Sequence, residues 1–390
     1  MNFIKVESLT ESGQIIPNKV AYISEECHES LKRSQLKVND ILFSIAGALG
    51  RIGIVNEEIV PANTNQALAI VRLAKDSGIL VSFLAKYFTS NNISEEIEKL
   101  KGGAAQQNLS LGQLNNLSIP LPPLPEQQRI VAILDEAFAA IAKAKANAQQ
   151  NLKNAKELFE SYLQSVFENC NWEEKSIQEI TKIINGYAFA SKDFKSTNTI
   201  KSIKITNVGV NKFVEEVDNY LPEIFKDTLK DFQVREGNIV IALTRTIISA
   251  GLKVAVVPKS YDGALINQRV AALVPNEKLI NQSYLYYFLT TYGVAKYVMA
   301  RVNTLMQPNL SINDLKKLPV PCPSLKDQQT IVQKLDALST QTQKLEAIYQ
   351  QHLNDLDELK KSVLQKAFRG ELHNPEGAGQ LHSPKEAAST

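Results

Sequence analysis

Cysteine is scarce in this chain: three residues in 390, at Cys27, Cys170 and Cys322. They are odd in number and far apart, and no pair has the CxxC spacing of a zinc site. A disulfide framework is thereby excluded, and free thiols in a reducing compartment are expected. The four histidines, His28, His352, His373 and His382, are scattered and form no ligand cluster. Long apolar runs are missing too. The longest apolar region, Ile239–Val257, is broken by Arg245 and Lys253, which fits strands and not a membrane span. Met1-Asn2-Phe3-Ile4-Lys5 lacks the basic-then-apolar order of a signal peptide. The expectation is a cytoplasmic protein with no membrane partner.

Catalytic motifs are equally hard to find. Gly47-Ala48-Leu49-Gly50 is not followed by Lys-Ser/Thr, so it reads as a tight turn and not a phosphate loop. There is no Asn/Asp-Pro-Pro-aromatic loop of the kind an amino-methyltransferase uses to hold its target amine. The carboxylates of Glu95-Glu96 and Glu215-Glu216 read as solvated faces. No catalytic residue, metal ligand or cofactor loop is expected, and the chain is not read as an enzyme. Excess charge of one sign is also absent: 43 Lys and Arg stand against 41 Asp and Glu, for a net of +2. Any polyanion would have to be met by a local patch.

What the chain does have is a long internal repeat. With a shift of 201, Asn108-Leu109-Ser110 falls on Asn309-Leu310-Ser311, and Pro120 and Pro122 fall on Pro321 and Pro323. Gln127-Gln128 falls on Gln328-Gln329, and Asp135 on Asp336. Leu158, Ser161, Leu163, Gln164 and Phe167 fall on Leu359, Ser362, Leu364, Gln365 and Phe368. No gap is needed over about 60 residues, so one unit is used twice. A period of 201 is too long for a solenoid and fits a duplicated half-protein.

Each copy opens with a proline segment that cannot be helical. A helix follows. Ser324 with Asp327 can cap the second, and Pro125 sits where a first-turn proline is tolerated in the first. The first run places Ile130, Leu134, Phe138, Ile141, Ala144, Ala148, Leu152, Ala155, Phe159, Tyr162 and Val166 on one stripe. The second does the same with Ile331, Leu335, Leu338, Leu345, Tyr349, Leu353, Leu356, Val363 and Ala367. Steps of three and four mark a helix that buries one face. Such a helix of about 43 residues is roughly 65 Å long and needs a partner, for which the other copy is the obvious candidate.

The regions before each copy are less alike. Phe3–Val6, Asp40–Ser44 and Ala67–Val71 read as strands, and Val81–Thr89 as a helix. Ile203-Lys204-Ile205 and Gly237–Ile241 look like their later counterparts, as do Ser283–Phe288 and Asn267-Gln268. Residues 172–201 have no counterpart in the first half, whose domain is therefore expected to be less stable than residues 172–320, or to be covered by another segment. At 390 residues and 44% hydrophobic content, two or more domains with sizeable cores are expected.

Binding chemistry is concentrated in the loops. Residues 172–306 hold 17 Lys and Arg against 13 Asp and Glu. Thr244-Arg245-Thr246, Lys253, Asn267-Gln268-Arg269 and Arg301-Val302-Asn303 mix cations with amides. Arg can hold a guanine edge with two bonds, Asn or Gln an adenine edge, and Lys or Arg a phosphate. Arg51, Asn63, Asn65, Gln66 and Lys101 are the first-half equivalents. The plainer alternative for Asn-Gln before a strand is a turn that bonds its own backbone.

The whole arrangement resembles the specificity subunit of type I restriction-modification systems. The marks are the doubled proline–Gln-Gln–helix runs Pro120–Val131 and Pro321–Val332 and the helix endings Ser161–Phe167 and Ser362–Leu372. The resemblance implies an α+β, pseudo-twofold fold: two mixed α/β target-recognition domains joined by two long antiparallel helices that form a coiled-coil spacer. The domains would span 1–118 and 170–320, the proline segments and helices 119–169 and 321–372, and a disordered tail 373–390. It implies a non-catalytic subunit that reads a split, asymmetric site on double-stranded DNA. Such a subunit holds two adenine-modification subunits and the restriction subunits. S-adenosylmethionine, ATP and Mg would be bound by those partners and not by this chain. Two other classes are weighed beside it: a helical scaffold with no DNA specificity of its own, and a recognition arm fused to a methylase, which would need a motif the chain lacks.

Overall fold

The computed structural model describes residues 1–10, 13–100, 108–168, 171–216, 220–249, 251–302 and 308–372. Lys101, Cys170, Asn303 and the expected disordered tail lie outside the described residues. The chain divides into two compact units, residues 1–150 with 350 onward, and residues 151–349.

In chain order the first elements are β1 (Asn2–Ile4), β2 (Ala21–Tyr22), α1 (Glu25–Ser30), β3 (Ile41–Ser44), β4 (Ile52–Ile54), β5 (Ala62–Thr64) and β6 (Leu68–Val71). Then come α2 (Val81–Phe88), α3 (Asn91–Leu100), α4 (Leu111–Asn115) and the long α5 (Leu124–Glu168). The later part holds β7 (Glu174–Ser176), α6 (Ile177–Ile180), β8 (Thr181–Asn185), β9 (Ile200–Ile203), β10 (Tyr220–Leu221), α7 (Phe225–Thr228) and β11 (Ile239–Ala242). It continues with β12 (Ile247–Ile248), β13 (Gly251–Leu252), β14 (Val254–Val256), β15 (Leu265–Ile266) and β16 (Val270–Pro275). It ends with α8 (Gln282–Leu289), α9 (Tyr292–Met299), α10 (Ile312–Lys316), β17 (Pro319–Pro321) and the long α11 (Leu325–Phe368). Val6 and Ile205, expected in strands, fall just beyond β1 and β9, where the chain turns.

The first unit has two small sheets. In one, β1 lies between β2, antiparallel, and β5, parallel. In the other, β3 is central, with β4 and β6 antiparallel on its flanks. Every residue of β3 is buried, as its run of Ile, Leu and Phe requires. The second unit repeats the plan. There β9 lies between β10 and β15, again with one antiparallel and one parallel partner. In the main sheet β11 is central between β14 and β16. This sheet has a fourth strand: β8 lines the outer edge of β16 over five residue pairs, Ala271–Asn185 through Pro275–Thr181. Among the described residues nothing corresponding lines β6. The strand comes from the segment that has no counterpart in the first half.

Each unit takes the start of one long helix and the end of the other. In the first, Ile130 and Leu134 of α5 share a core with Leu364 and Ala367 of α11 and with Phe83 of α2. An ion pair joins Lys145 to Asp357, and the Arg129 guanidinium reaches the Leu372 carbonyl at 3.4 Å. Numbering rises on one helix as it falls on the other, so the segments run antiparallel. In the second unit Phe159, Leu163 and Phe167 of α5 share a core with Ile331 and Leu335 of α11.

The helix ends are pinned by aromatic side chains in the same way. Phe368 lies edge-on to Phe83 and Tyr87, at 5.4 and 5.1 Å between ring centroids. Phe167 meets Tyr284 and Phe288 at 5.2 and 5.5 Å. Each such pair adds about 0.5–1.5 kcal/mol to ordinary burial. The stripe departs from expectation at one place. Leu345 is 38% exposed, while Thr342 is buried. The Thr342 hydroxyl donates within its own helix to the Leu338 and Ser339 carbonyls, at 3.0 and 3.1 Å. With its polar group satisfied, a small residue fills the inner position and the leucine one turn on is left outside. Leu152, Leu353, Leu356 and Phe138 are half-buried. Phe138 is covered by the ammonium groups of Lys86 and Lys360, at 5.2 and 5.1 Å from its centroid.

Candidate nucleic-acid interface

The strand ladders bring most of the expected reading residues to one end of the main sheet in the second unit. Ala242, the last residue of β11, is opposite Val270, the first of β16, and the Ala242 N–H donates to the Lys253 carbonyl. The next residue, Leu243, donates to the Arg269 carbonyl at 2.8 Å. Thr244-Arg245, Lys253 and Asn267-Gln268-Arg269 therefore emerge from neighbouring strands. In the first unit Ser44 is opposite Leu68, and Ser44 donates to the Arg51 carbonyl. Arg51, Asn65 and Gln66 lie at the matching end.

Their side chains differ in what they are free to do. Arg245, Gln268, Arg269 and Gln66 are exposed. Arg245 sits at φ 49°, a left-handed conformation uncommon for a residue with a side chain. Asn267 and Asn65 each spend the side-chain oxygen on their own turn, accepting from Arg269 N at 3.4 Å and Ala67 N at 3.2 Å. That is the plainer alternative weighed for them. Their amide nitrogens keep no partner among the described residues. The Lys253 ammonium donates to the Ile205 carbonyl at 2.8 Å. Burial, and secondly the nearby Arg245 charge, push its pKa below the usual lysine range. It braces the 205 turn with one of its three donors. Lys204 is also partly desolvated and stands over the Phe194 ring at 3.7 Å, with its pKa lowered by burial against the pull of Glu216.

Three of the wider candidates are buried or already engaged. Asn63 is fully buried, its oxygen facing His28 Nδ1 at 2.5 Å and its amide donating to Leu31 O and Ser34 Oγ. Thr246 is fully buried. Arg301 stacks on Tyr297 at 3.6 Å and donates to that residue's carbonyl. The causes differ: Asn63 is held by the 28–34 segment, the Thr246 hydroxyl is enclosed without a partner among the described residues, and Arg301 is engaged by Tyr297 four residues before it. A separate hollow of ≈ 790 Å³, lined by Lys201, Lys226, Lys230 and Arg235 among others, holds none of the expected readers. There Lys230 and Arg235 already face Asp227 and Asp262, both at 3.5 Å.

Two features escaped the sequence. One is the grip that joins each domain to its long helix. Gln127 is fully buried; it accepts the Leu80 N–H at 2.9 Å and donates to the Gly78 and Pro122 carbonyls at 2.8 Å. Gln328 does the same with Asn281, Leu279 and Pro323, at 2.7, 3.1 and 2.9 Å. All three partners keep the 201 offset. So does a second contact: Lys86 Nζ to Asp135 in one unit, and Tyr287 Oη to Asp336 in the other, both at 2.5 Å. The repeated Gln was visible, but nothing in its spacing said that it is buried. The other feature is the turn Asn185-Gly186-Tyr187. Its backbone lies against Asn267-Gln268, with Tyr187 N on Ile266 O and Gln268 N on Tyr187 O, both 2.9 Å. A Cβ on Gly186 would stand 2.0 Å from the Asn267 oxygen.

Among the described residues no group of His, Cys, Asp and Glu could hold a metal ion, and no helix is long and apolar enough to cross a membrane. Two modules of one plan, gripped alike and differing at the loops, define a recognition protein. The family model for the type I restriction modification DNA specificity domain matches residues 1–153 and 169–354, and the chain belongs to that family. It is similar to the MjaVIII specificity subunit of Methanocaldococcus jannaschii, with 25% identity over 355 residues, 82% of each chain. It is also similar to the EcoBI specificity subunit of Escherichia coli, 33% identical over 156 residues, 40% of this chain and 32% of that one. Two solved structures share its fold. A chain from work on assembly and conformational transition of the type I R-M system has TM-score 0.77 at 19% identity, covering 95% of this chain and 92% of its own. The HsdS subunit from Thermoanaerobacter tengcongensis has TM-score 0.64 at 20% identity, covering 95% and 90%. Membership carries the role of DNA sequence recognition in a restriction-modification system, without catalysis by this chain.

Proposed function

We propose that this chain reads a two-part, asymmetric site on double-stranded DNA, one part by residues 1–118 and the other by residues 170–320. The proline segments and helices, 119–169 and 321–372, fix the gap between the parts. The same subunit holds two adenine-modification subunits and the restriction subunits, which bring S-adenosylmethionine, ATP and Mg. The observation that carries this reading is the doubled glutamine grip. Gln127 and Gln328 make matching sets of three bonds to matching backbone, while the loops at the sheet ends share Asn-Gln but differ beside it, Ala67 standing in the first where the second has Arg269. A constant mount with variable readers is what two half-sites of unlike sequence need. Arg245, Arg269 and Gln268 are the base readers assigned to the second module, with Arg51 and Gln66 in the first. Lys253, Asn267 and Asn65 set the loops and offer their remaining donors to phosphate or base.

The test is to assemble the chain with its modification subunits and map methylated adenines on a random DNA library. Two short unlike sequences at a fixed separation are expected. A single contiguous site, or methylation without sequence preference, would overturn the reading.

A further inference from the structure

Resting on that reading of the second module, we propose that Tyr187 reads a base edge there beside Gln268 and Arg269. Three observations meet on this residue. Its backbone is fixed from both sides, donating to Ile266 O and accepting from Gln268 N, while Gly186 N donates to Val270 O at 3.2 Å. The contact is so close that only glycine fits at 186. Tyr187 is thus locked to the very loop that presents the amide and the guanidinium.

Its ring is fixed as well. Phe189 and Phe232 each lie 5.1 Å away, tilted 56° and 64° to it. Even so the side chain is 40% exposed. Tyr22 and Tyr292 are more exposed, at 77% and 65%, but no ring holds either in place among the described residues. The hydroxyl is the third observation. Tyr87, Tyr261, Tyr284, Tyr286, Tyr287 and Tyr297 all donate to protein oxygen. The Tyr187 hydroxyl has no partner among the described residues. A rigid ring with a free donor–acceptor tip loses little entropy on contact, which suits it to recognition. In a DNA groove the hydroxyl can meet a base acceptor or donor, and the ring edge a thymine methyl.

The experiment compares the complex carrying wild-type chain, Tyr187→Phe and Tyr187→Ala on a library of sites, with modification as the readout. Wild type without sequence preference would mean that the broader reading fails, not this one. Given a preference in the wild type, both variants are expected to relax one or two adjacent positions of a single half-site, by about tenfold or more. The other half-site should be unchanged. Tyr187→Phe keeps the ring and the fold, so a folding defect in the alanine variant leaves the test intact. Unchanged preference in Tyr187→Phe, whatever the alanine variant does, or equal weakening on every sequence, would overturn the assignment.

Discussion

The buried carboxamide of Gln328 accepts the backbone N–H of Asn281 at 2.7 Å, and Asn281 in turn caps α8 by accepting from Tyr284 N at 3.0 Å. One residue of the long helix thus fixes the starting point of the helix that backs the reading sheet. Gln328→Ala would leave a buried N–H and two carbonyls short of partners, and a loss of about 2–4 kcal/mol is expected. Gln328→Glu is more informative. A carboxylate there can accept from Asn281 but cannot donate to Leu279 and Pro323. Burial and those carbonyls raise its folded pKa above the ordinary value near 4.3. A raised folded pKa gives stability that is present at low pH and lost as pH rises through it. The melting temperature of this variant should approach wild type as pH falls from about 8 to about 5. A gap that widens on acidification would show that Gln328 does not sit as described.

How far sequence alone reached is visible at particular residues. The repeat gave the two modules, the long helices and Ser324 as cap, which bonds Asp327 N at 3.2 Å. Helix periodicity placed Leu134 and Leu335, both fully buried. It misplaced Leu345, because a threonine that satisfies itself looks polar in sequence and behaves as a small apolar residue in the seam. Residue type marks Arg245, Lys253 and Arg269, and the ladders put them at one sheet end. Tyr187 carries no local signal, because Asn267 and Phe232, which hold it, are far away in the chain. Nothing local marks Asn63 as spent on His28.

The close approach at Gly186 makes a second test. A Cβ would meet the Asn267 carbonyl at 2.0 Å and Gln268 N at 2.8 Å, both backbone atoms that cannot swing aside. Gly186→Ala should cost about 1–3 kcal/mol and shift the reading loop. DNA preference at the second half-site should blur while the first is untouched. A variant with wild-type preference would mean the loop does not depend on the turn.

The unlined edge of β6 should be visible in hydrogen exchange. Leu68–Val71 has no neighbour on its outer side among the described residues, whereas Ala271–Pro275 of β16 is covered by β8. Outer-edge amides in the first set are expected to exchange faster than their second-unit equivalents. Equal protection would show that the first domain is complete without a fourth strand.

Arg245 and Arg269 can be told apart from phosphate contacts by salt. Replacement of a base-reading arginine by Ala should cost about 1–3 kcal/mol on the cognate site only and relax one position. A phosphate contact would weaken all sequences and lower the salt dependence of binding by about one unit. Titrations of each variant on cognate and scrambled duplexes at several salt concentrations separate the two. No change in either variant would place the interface on another face.

The most direct test of the two-part reading is to lengthen both helices and sequence the modified sites. Seven residues inserted near Ala146 and near Ala347, which correspond at the 201 offset, keep the apolar seam close to phase. Each helix grows by about 10 Å. The gap between half-sites should then increase by up to about three base pairs, with both half-site sequences unchanged. An active variant with the original gap, or with altered half-sites, would contradict the assignment of reading to the modules and spacing to the helices.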